Sequence, residues 1–159
     1  MIYWERPLIM CVCLALACGS PSVKGTPGGR TLYLETLALD IPPALEVSQE
    51  TVAGEQYQYV VRRPGESNAL LVIVVNGSAR YEKKTEAIDI VIAGNSGRDY
   101  RWTDAKLGLV RVIELDVPRP INNGPSDVVM VTLAYGGLVK SDLQLVEALV
   151  GKIHKGHEK

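Results

Sequence analysis

Few side chains in this sequence have the types and spacing that chemistry needs. Glu114 and Asp116 stand two apart in a run that is otherwise largely apolar. Strand alternation would put both on one face, where a carboxylate pair can divide acid and base roles between its members. The same spacing equally describes two solvated residues on an exposed strand face. His154 and His157 are the only histidines, and Glu158 follows them. Two imidazoles and a carboxylate are suitable ligands for a transition metal, but Gly156 breaks helical spacing and Lys155 and Lys159 repel a cation. That segment reads as a solvated terminal tail. Ser96, within Asn95-Ser96-Gly97, reads as a turn residue rather than a nucleophile. Arg62, Arg63, Arg80, Lys83 and Lys84 offer a basic patch for anionic headgroups or an acidic partner, or simply a solubilising surface. Tyr57, Tyr59, Tyr81, Tyr100 and Trp102 are of the types enriched at interface hot spots. Because the sequence has no Phe, they are equally its stock of aromatic core residues.

Several function classes are disfavoured. The sequence contains no G-x-S-x-G, P-loop, G-x-G-x-x-G or H-E-x-x-H pattern, so no catalytic motif and no cofactor is expected. A net charge of −1 lacks the basic excess of a nucleic-acid binder. Hydrophobic residues at 47% and charged residues at 22% are ordinary for a folded domain, and 159 residues suit one domain with a sizeable core.

All three cysteines, Cys11, Cys13 and Cys18, lie in the first 18 residues. Residues 8–18 are apolar and follow Arg6. This run is shorter than the roughly 20 residues that span a bilayer and matches the roughly 7–15-residue apolar region of a secretory signal. Residues 1–17 are therefore expected to be a signal peptide. Residues 19–30, rich in Gly, Ser and Pro, have linker composition. With every cysteine at or before position 18, the domain expected over residues 31–159 has no disulfide, cysteine-ligated zinc site or thiol chemistry of its own.

The elements that would position the polar groups follow from periodicity. Strands are expected over residues 32–41, ended by Pro42-Pro43, then over 45–52 and 57–61, with a turn at 53–55. The continuous apolar run 69–75 predicts a strand covered on both faces, with 70–75 the most buried stretch, before a turn at Asn76-Gly77. Residues 88–93 alternate as a strand, and Gly94-Asn95-Ser96-Gly97 reads as a turn. Residues 99–103 and 109–117 form a predicted hairpin, 118–125 a loop and 128–135 a strand. A closing helix is signalled by Ser141 and Gln144 as a capping box, with Asp142 in its first turn. Val146, Leu149, Val150 and Ile153 form its buried stripe, Lys152 and Lys155 its last turn, and Gly156 its end. The fold class expected is α+β, a mostly antiparallel sheet with a C-terminal helix packed on it.

Ala15-Leu16-Ala17-Cys18 resembles the bacterial lipobox. That resemblance implies diacylglycerol on the Cys18 thiol, cleavage before Cys18 and a lipid anchor of several acyl chains, enough for stable membrane attachment. Plain signal-peptidase cleavage after Ala17 is the alternative. Gly19 stands where an Asp would resemble an inner-membrane retention signal, which favours the outer membrane, facing the periplasm. The order of strands, hairpins and closing helix over residues 31–155 resembles small lipoproteins of the Mog1/PsbP-like type, which implies a binding or assembly accessory and carries over no functional residue. The expected function is a non-enzymatic, membrane-tethered envelope lipoprotein binding a protein or envelope component. An immunity or inhibitor lipoprotein that neutralises a toxin or hydrolase is the first alternative, and a hydrolase using carboxylates alone the second.

Overall fold

The computed structural model describes residues 25–26, 29–53, 56–77, 85–119 and 127–156. Its strands are β1 (Gly25–Thr26), β2 (Gly29–Leu34), β3 (Leu37–Ile41), β4 (Glu46–Ala53), β5 (Gln56–Arg62), β6 (Leu71–Val75), β7 (Ile88–Ile92), β8 (Asn95–Asp104), β9 (Gly108–Arg119), β10 (Asp127–Gly136) and β11 (His154–Lys155), with one helix, α1 (Lys140–Val150), before β11. The strands form two sheets, one of four strands ordered β1-β2-β3-β11 and one of seven ordered β4-β5-β6-β10-β9-β8-β7. Among the described residues every strand pair is antiparallel. The described residues are thus mostly antiparallel sheet with a single C-terminal helix. No described helix is long and apolar enough to cross a membrane.

Alternation explains the core. In β9, Ile113, Leu115 and Val117 share one face and are fully covered; Val129, Val131 and Leu133 of β10 do the same. They join Leu71 and Ile73 of β6, the leucines of β2 and β3, and Val146, Leu149 and Val150 of α1 in one hydrophobic cluster. Buried aliphatic side chains of this size each contribute about 1.5–3 kcal/mol. A second, smaller cluster of Tyr100, Trp102, Val110 and Val112 lies on the opposite face of the large sheet, because these positions alternate with Ile113 and its row.

β6 is an interior strand, as its apolar run predicts. The longest buried run is elsewhere, however: residues 110–115 of β9 are all buried, whereas Val72 of β6 is only part-buried.

Several local expectations are corrected. Residues 32–41 are two strands, since Leu34 and Leu37 pair across a two-residue turn in which Glu35 adopts φ 58°. Neither Glu nor Thr advertises such a conformation. The turn expected over residues 94–97 is Ala93-Gly94, with both residues at positive φ (51° and 83°) and Ile92 paired with Asn95. That is a primed hairpin turn with Ala where Asn or Gly is usual. Asn95, Ser96 and Gly97 belong to β8. Gly97 serves a close approach: a β-carbon there would lie 2.2 Å from the Glu114 carbonyl oxygen. Pro118 and Arg119 extend β9 rather than open a loop. The turn positions 54–55 and the residues 120–126 lie outside the described residues.

At the helix the capping box does not form. The N-cap is Val139, with no side-chain cap, and Ser141 lies inside the first turn. Asp142 instead accepts a hydrogen bond from Arg63 (2.5 Å). The helix stops at Val150 with Gly151 as C-cap and no basic residue in its last turn. Lys152, Ile153 and Lys155 therefore lie beyond it, although Ile153 remains in the core. His154 and Lys155 pair with Ala38 and Leu37 of β3. Gly156 is seated where a β-carbon would lie 3.2 Å from both the Leu37 carbonyl oxygen and Tyr33.

Candidate functional site

The large sheet ends at β7, and the polar groups of the molecule converge beside it. Register places Arg101, Arg111 and Tyr135 in one row across β8, β9 and β10. Asp99 lies two residues before Arg101, on the same face. Its inner members are buried, Arg111 being 8% exposed and Asp99 2%, while Arg101 closes the row on the exposed side. Arg111 grips Asp99 as a fork, Nε donating to Oδ1 at 2.9 Å and Nη2 to Oδ2 at 2.8 Å. Its Nη1 donates to the Tyr135 hydroxyl oxygen (3.0 Å) and to Glu147 Oε2 of α1 (2.5 Å). Tyr135 donates in turn to the other Glu147 oxygen. Arg101 adds Nε and Nη2 bonds to Asp99 Oδ2 at 3.0 and 2.7 Å. Two guanidinium and two carboxylate groups make the group formally neutral.

A buried ion pair is tolerated only when its hydrogen bonds are satisfied, and here each partner has several. Burial alone would raise the Asp99 carboxyl, but hydrogen bonds from Arg111 and Arg101 outweigh it and hold Asp99 below the usual carboxylate range. For Arg111, burial works against the charge, and the bonds to Asp99 and Tyr135 overcome it, so its pKa is raised. Burial, then the bond to Glu147, raises the Tyr135 phenol. These shifts favour the ionic form of the two charged groups and the neutral phenol. The arrangement links Glu147 of α1 to Arg111 of β9 and Tyr135 of β10 by hydrogen bonds, and its inner donors are already committed.

Beside this network lies an open depression of about 330 Å³, lined by Ile92, Ala93, Arg111, Glu147, Val150 and Ile153. A second hollow of about 360 Å³ is lined by Asp89, Ile90, Val91, Ser96 and Gly97. Both touch β7, among the described residues the outermost strand of the large sheet, whose Ile88 and Val91 are 62% and 72% exposed.

The residues singled out by sequence are mostly not brought together. Glu114 and Asp116 do share a face of β9, but Glu114 is buried and Asp116 exposed, contrary to a wholly solvated pair, and neither lines either hollow. Arg62 donates to the Ser48 hydroxyl at 2.7 Å and Arg63 is paired with Asp142; Arg80, Lys83 and Lys84 lie outside the described residues. Tyr59 is in the main core, Tyr57 packs against it, and Tyr100 and Trp102 form the second cluster; Tyr81 lies outside the described residues. Ser96 is an exposed strand residue rather than part of a turn. His154 is exposed but held in β11, so the tail reading is wrong at that position; His157 and Glu158 lie outside the described residues, as do Cys11, Cys13 and Cys18. Among the described residues no group of three or more potential ligands could hold a metal.

Sequence reasoning missed the Asp99, Arg101, Arg111, Tyr135 and Glu147 network. A signal was present. Stepping back by twos from Val117, Leu115 and Ile113 reaches Arg111, and stepping forward from Val131 and Leu133 reaches Tyr135. Both polar residues fall on the core-facing row.

No protein-family model matches the chain, and no curated protein or solved structure matches it either.

Proposed function

We propose that the chain is the precursor of a non-enzymatic lipoprotein, tethered to the bacterial outer membrane through acyl chains on Cys18 and facing the periplasm. Its domain binds a protein or envelope component at the β7 end of the large sheet. The observation that carries the binding reading is the edge itself: Ile88 and Val91 stand in solvent on an outermost strand, with a hollow on either side. Sheet edges with exposed apolar side chains are sites of strand addition unless they are guarded. The tethering half rests on the apolar run before Ala15-Leu16-Ala17-Cys18 and the Gly- and Pro-rich segment after it, and includes the likeness to small Mog1/PsbP-like lipoproteins. In this reading α1 is packed on the large sheet as its closing element, supported by the burial of Val146, Leu149 and Val150 and the bonds of Glu147 to Arg111 and Tyr135.

The test has two arms. Cys18→Ser is expected to abolish incorporation of labelled palmitate and to release the protein from the membrane fraction; a mutant that stays attached sinks the anchor. Capture from envelope extract is expected to yield a partner with the natural chain and to lose it with Val91→Lys; a partner captured equally by both sinks the β7 surface.

A further inference from the structure

The two edges of the large sheet are built differently. β4, at one end, carries Glu46 and Glu50 and an irregularity in its pairing between Thr51 and Ala53. Charges and bulges are the usual guards of an exposed edge. β7, at the other end, reads Ile-Asp-Ile-Val-Ile, with no Lys, no Pro and an unbroken register to β8. Such an edge is a template for another strand.

The register determines which backbone groups it offers. The two-residue turn at Ala93-Gly94 makes Ile92 and Asn95 a hydrogen-bonded pair. Alternation then turns the N–H and C=O of Ile88, Ile90 and Ile92 toward β8 and those of Asp89 and Val91 outward. The strand can meet a copy of itself. Antiparallel pairing about a twofold axis at Ile90 sets Asp89 opposite Val91 of the copy, and Val91 opposite its Asp89. All four outward donors and acceptors of each strand are then satisfied. The same register sets Ile90 beside Ile90 and Ile88 beside Ile92, while neither carboxylate faces its twin. Shifting the axis to Asp89 would place two carboxylates directly opposite each other, which is destabilising. Shifting it to Val91 would require pairing with Ala93, which is committed to the turn at φ 51°. Of these three registers, the charge pattern and the turn favour the one centred on Ile90, which also uses all five residues of β7.

We infer that β7 pairs with β7 of a second copy of this chain, joining two seven-stranded sheets into one continuous sheet across a twofold axis at Ile90. This deepens the reading of the β7 end as a recognition surface and rests on it. Pairing over five residues is small beside a standard interface, and tethering two copies to one membrane raises their effective concentration.

The experiment uses the full chain in mild detergent. In the paired register Ile90 is opposite itself at a non-hydrogen-bonded position, where α-carbons are about 4.5 Å apart, within disulfide range. Under mild oxidation Ile90→Cys is expected to give a covalent dimer well above the background of the natural chain. Glu46→Cys, on the other edge, should stay at background. Val91→Lys, at a solvent-exposed position, should leave the circular-dichroism spectrum unchanged, abolish the Ile90→Cys dimer and shift sedimentation to the monomer. A monomer at all concentrations with no cross-link at Ile90 overturns the self-pairing, even if Val91→Lys still loses an envelope partner. Equal cross-linking at Ile90 and Glu46 overturns it too. A specific Ile90 dimer upholds it even if Cys18→Ser stays on the membrane, an outcome that sinks only the anchor.

Discussion

At the scale of single residues, the Arg111 fork concentrates the polar energetics of the molecule. Removing one partner of a buried ion pair leaves the other uncompensated, at a cost of about 3–5 kcal/mol. Arg111→Leu leaves Asp99, which is 2% exposed, with only the more exposed Arg101 as partner and takes the guanidinium from Tyr135 and Glu147; it is expected to lower stability by up to that order in denaturant unfolding. The pH dependence has a definite sign. Asp99 is held below its ordinary value of 3.8, so its contribution is fully present above that pH and is lost as pH falls through the lower native value. Asp99→Asn should therefore be less stable than the natural chain at neutral pH, with the gap closing in acid. An unchanged gap at low pH would show that Asp99 does not titrate as its surroundings dictate. Gly97 is the second sensitive position. A β-carbon 2.2 Å from the Glu114 carbonyl oxygen cannot be accommodated without moving β9 from β8, and Gly97→Ala should cost at least the roughly 1–3 kcal/mol of an overpacked core. Neither role is visible in residue type. Gly97 reads as a turn glycine until the opposing backbone is in place, and Arg111 as a surface charge until its row is traced across the sheet.

At the scale of elements, boundaries depend on conformation that composition does not advertise. The β7–β8 hairpin turns on Ala93, an alanine at φ 51°, where a side chain is strained by about 1–2 kcal/mol. Ala93→Gly should relieve part of this and raise the thermal midpoint by a few degrees; a lower midpoint would mean that the Ala93 methyl, packed against the core, matters more than the strain. The helix was legible from the spacing of Val146, Leu149 and Val150, but its ends were not. Ser141 and Gln144 have a capping pattern that the chain does not use, because the helix already begins at Lys140 and Ser141 falls inside its first turn. The segment expected to be its last turn supplies β11 instead, since pairing with β3 satisfies backbone groups there. Leu149→Ala should cost about 2–5 kcal/mol, as for other buried leucines, measured by the shift in denaturant midpoint. A change below 1 kcal/mol would mean that α1 contributes little to the core.

At the scale of the whole molecule, the N-terminal segment proposed as an anchor and the folded part are separable in composition. Every cysteine precedes residue 19, while among the described residues the buried hydrophobic ones begin at Leu32. A chain beginning at Gly29 is therefore expected to unfold at the same temperature as the longer chain, with or without reductant. A large loss of stability would show that earlier residues belong to the core. What the sequence by itself determined was the inventory of periodic segments: interior strands from unbroken apolar runs and alternation, and a C-terminal helix from its 3.6-residue stripe. These are local properties, set by which side chains must leave water and at what period. Only the tertiary structure decided the partition into two sheets, the β7 edge with Ile88 and Val91 in solvent, and the meeting of Asp99, Arg111, Tyr135 and Glu147 from four different elements. Strand order and cross-strand rows join residues far apart in the chain, and no local period encodes which strand lies beside which.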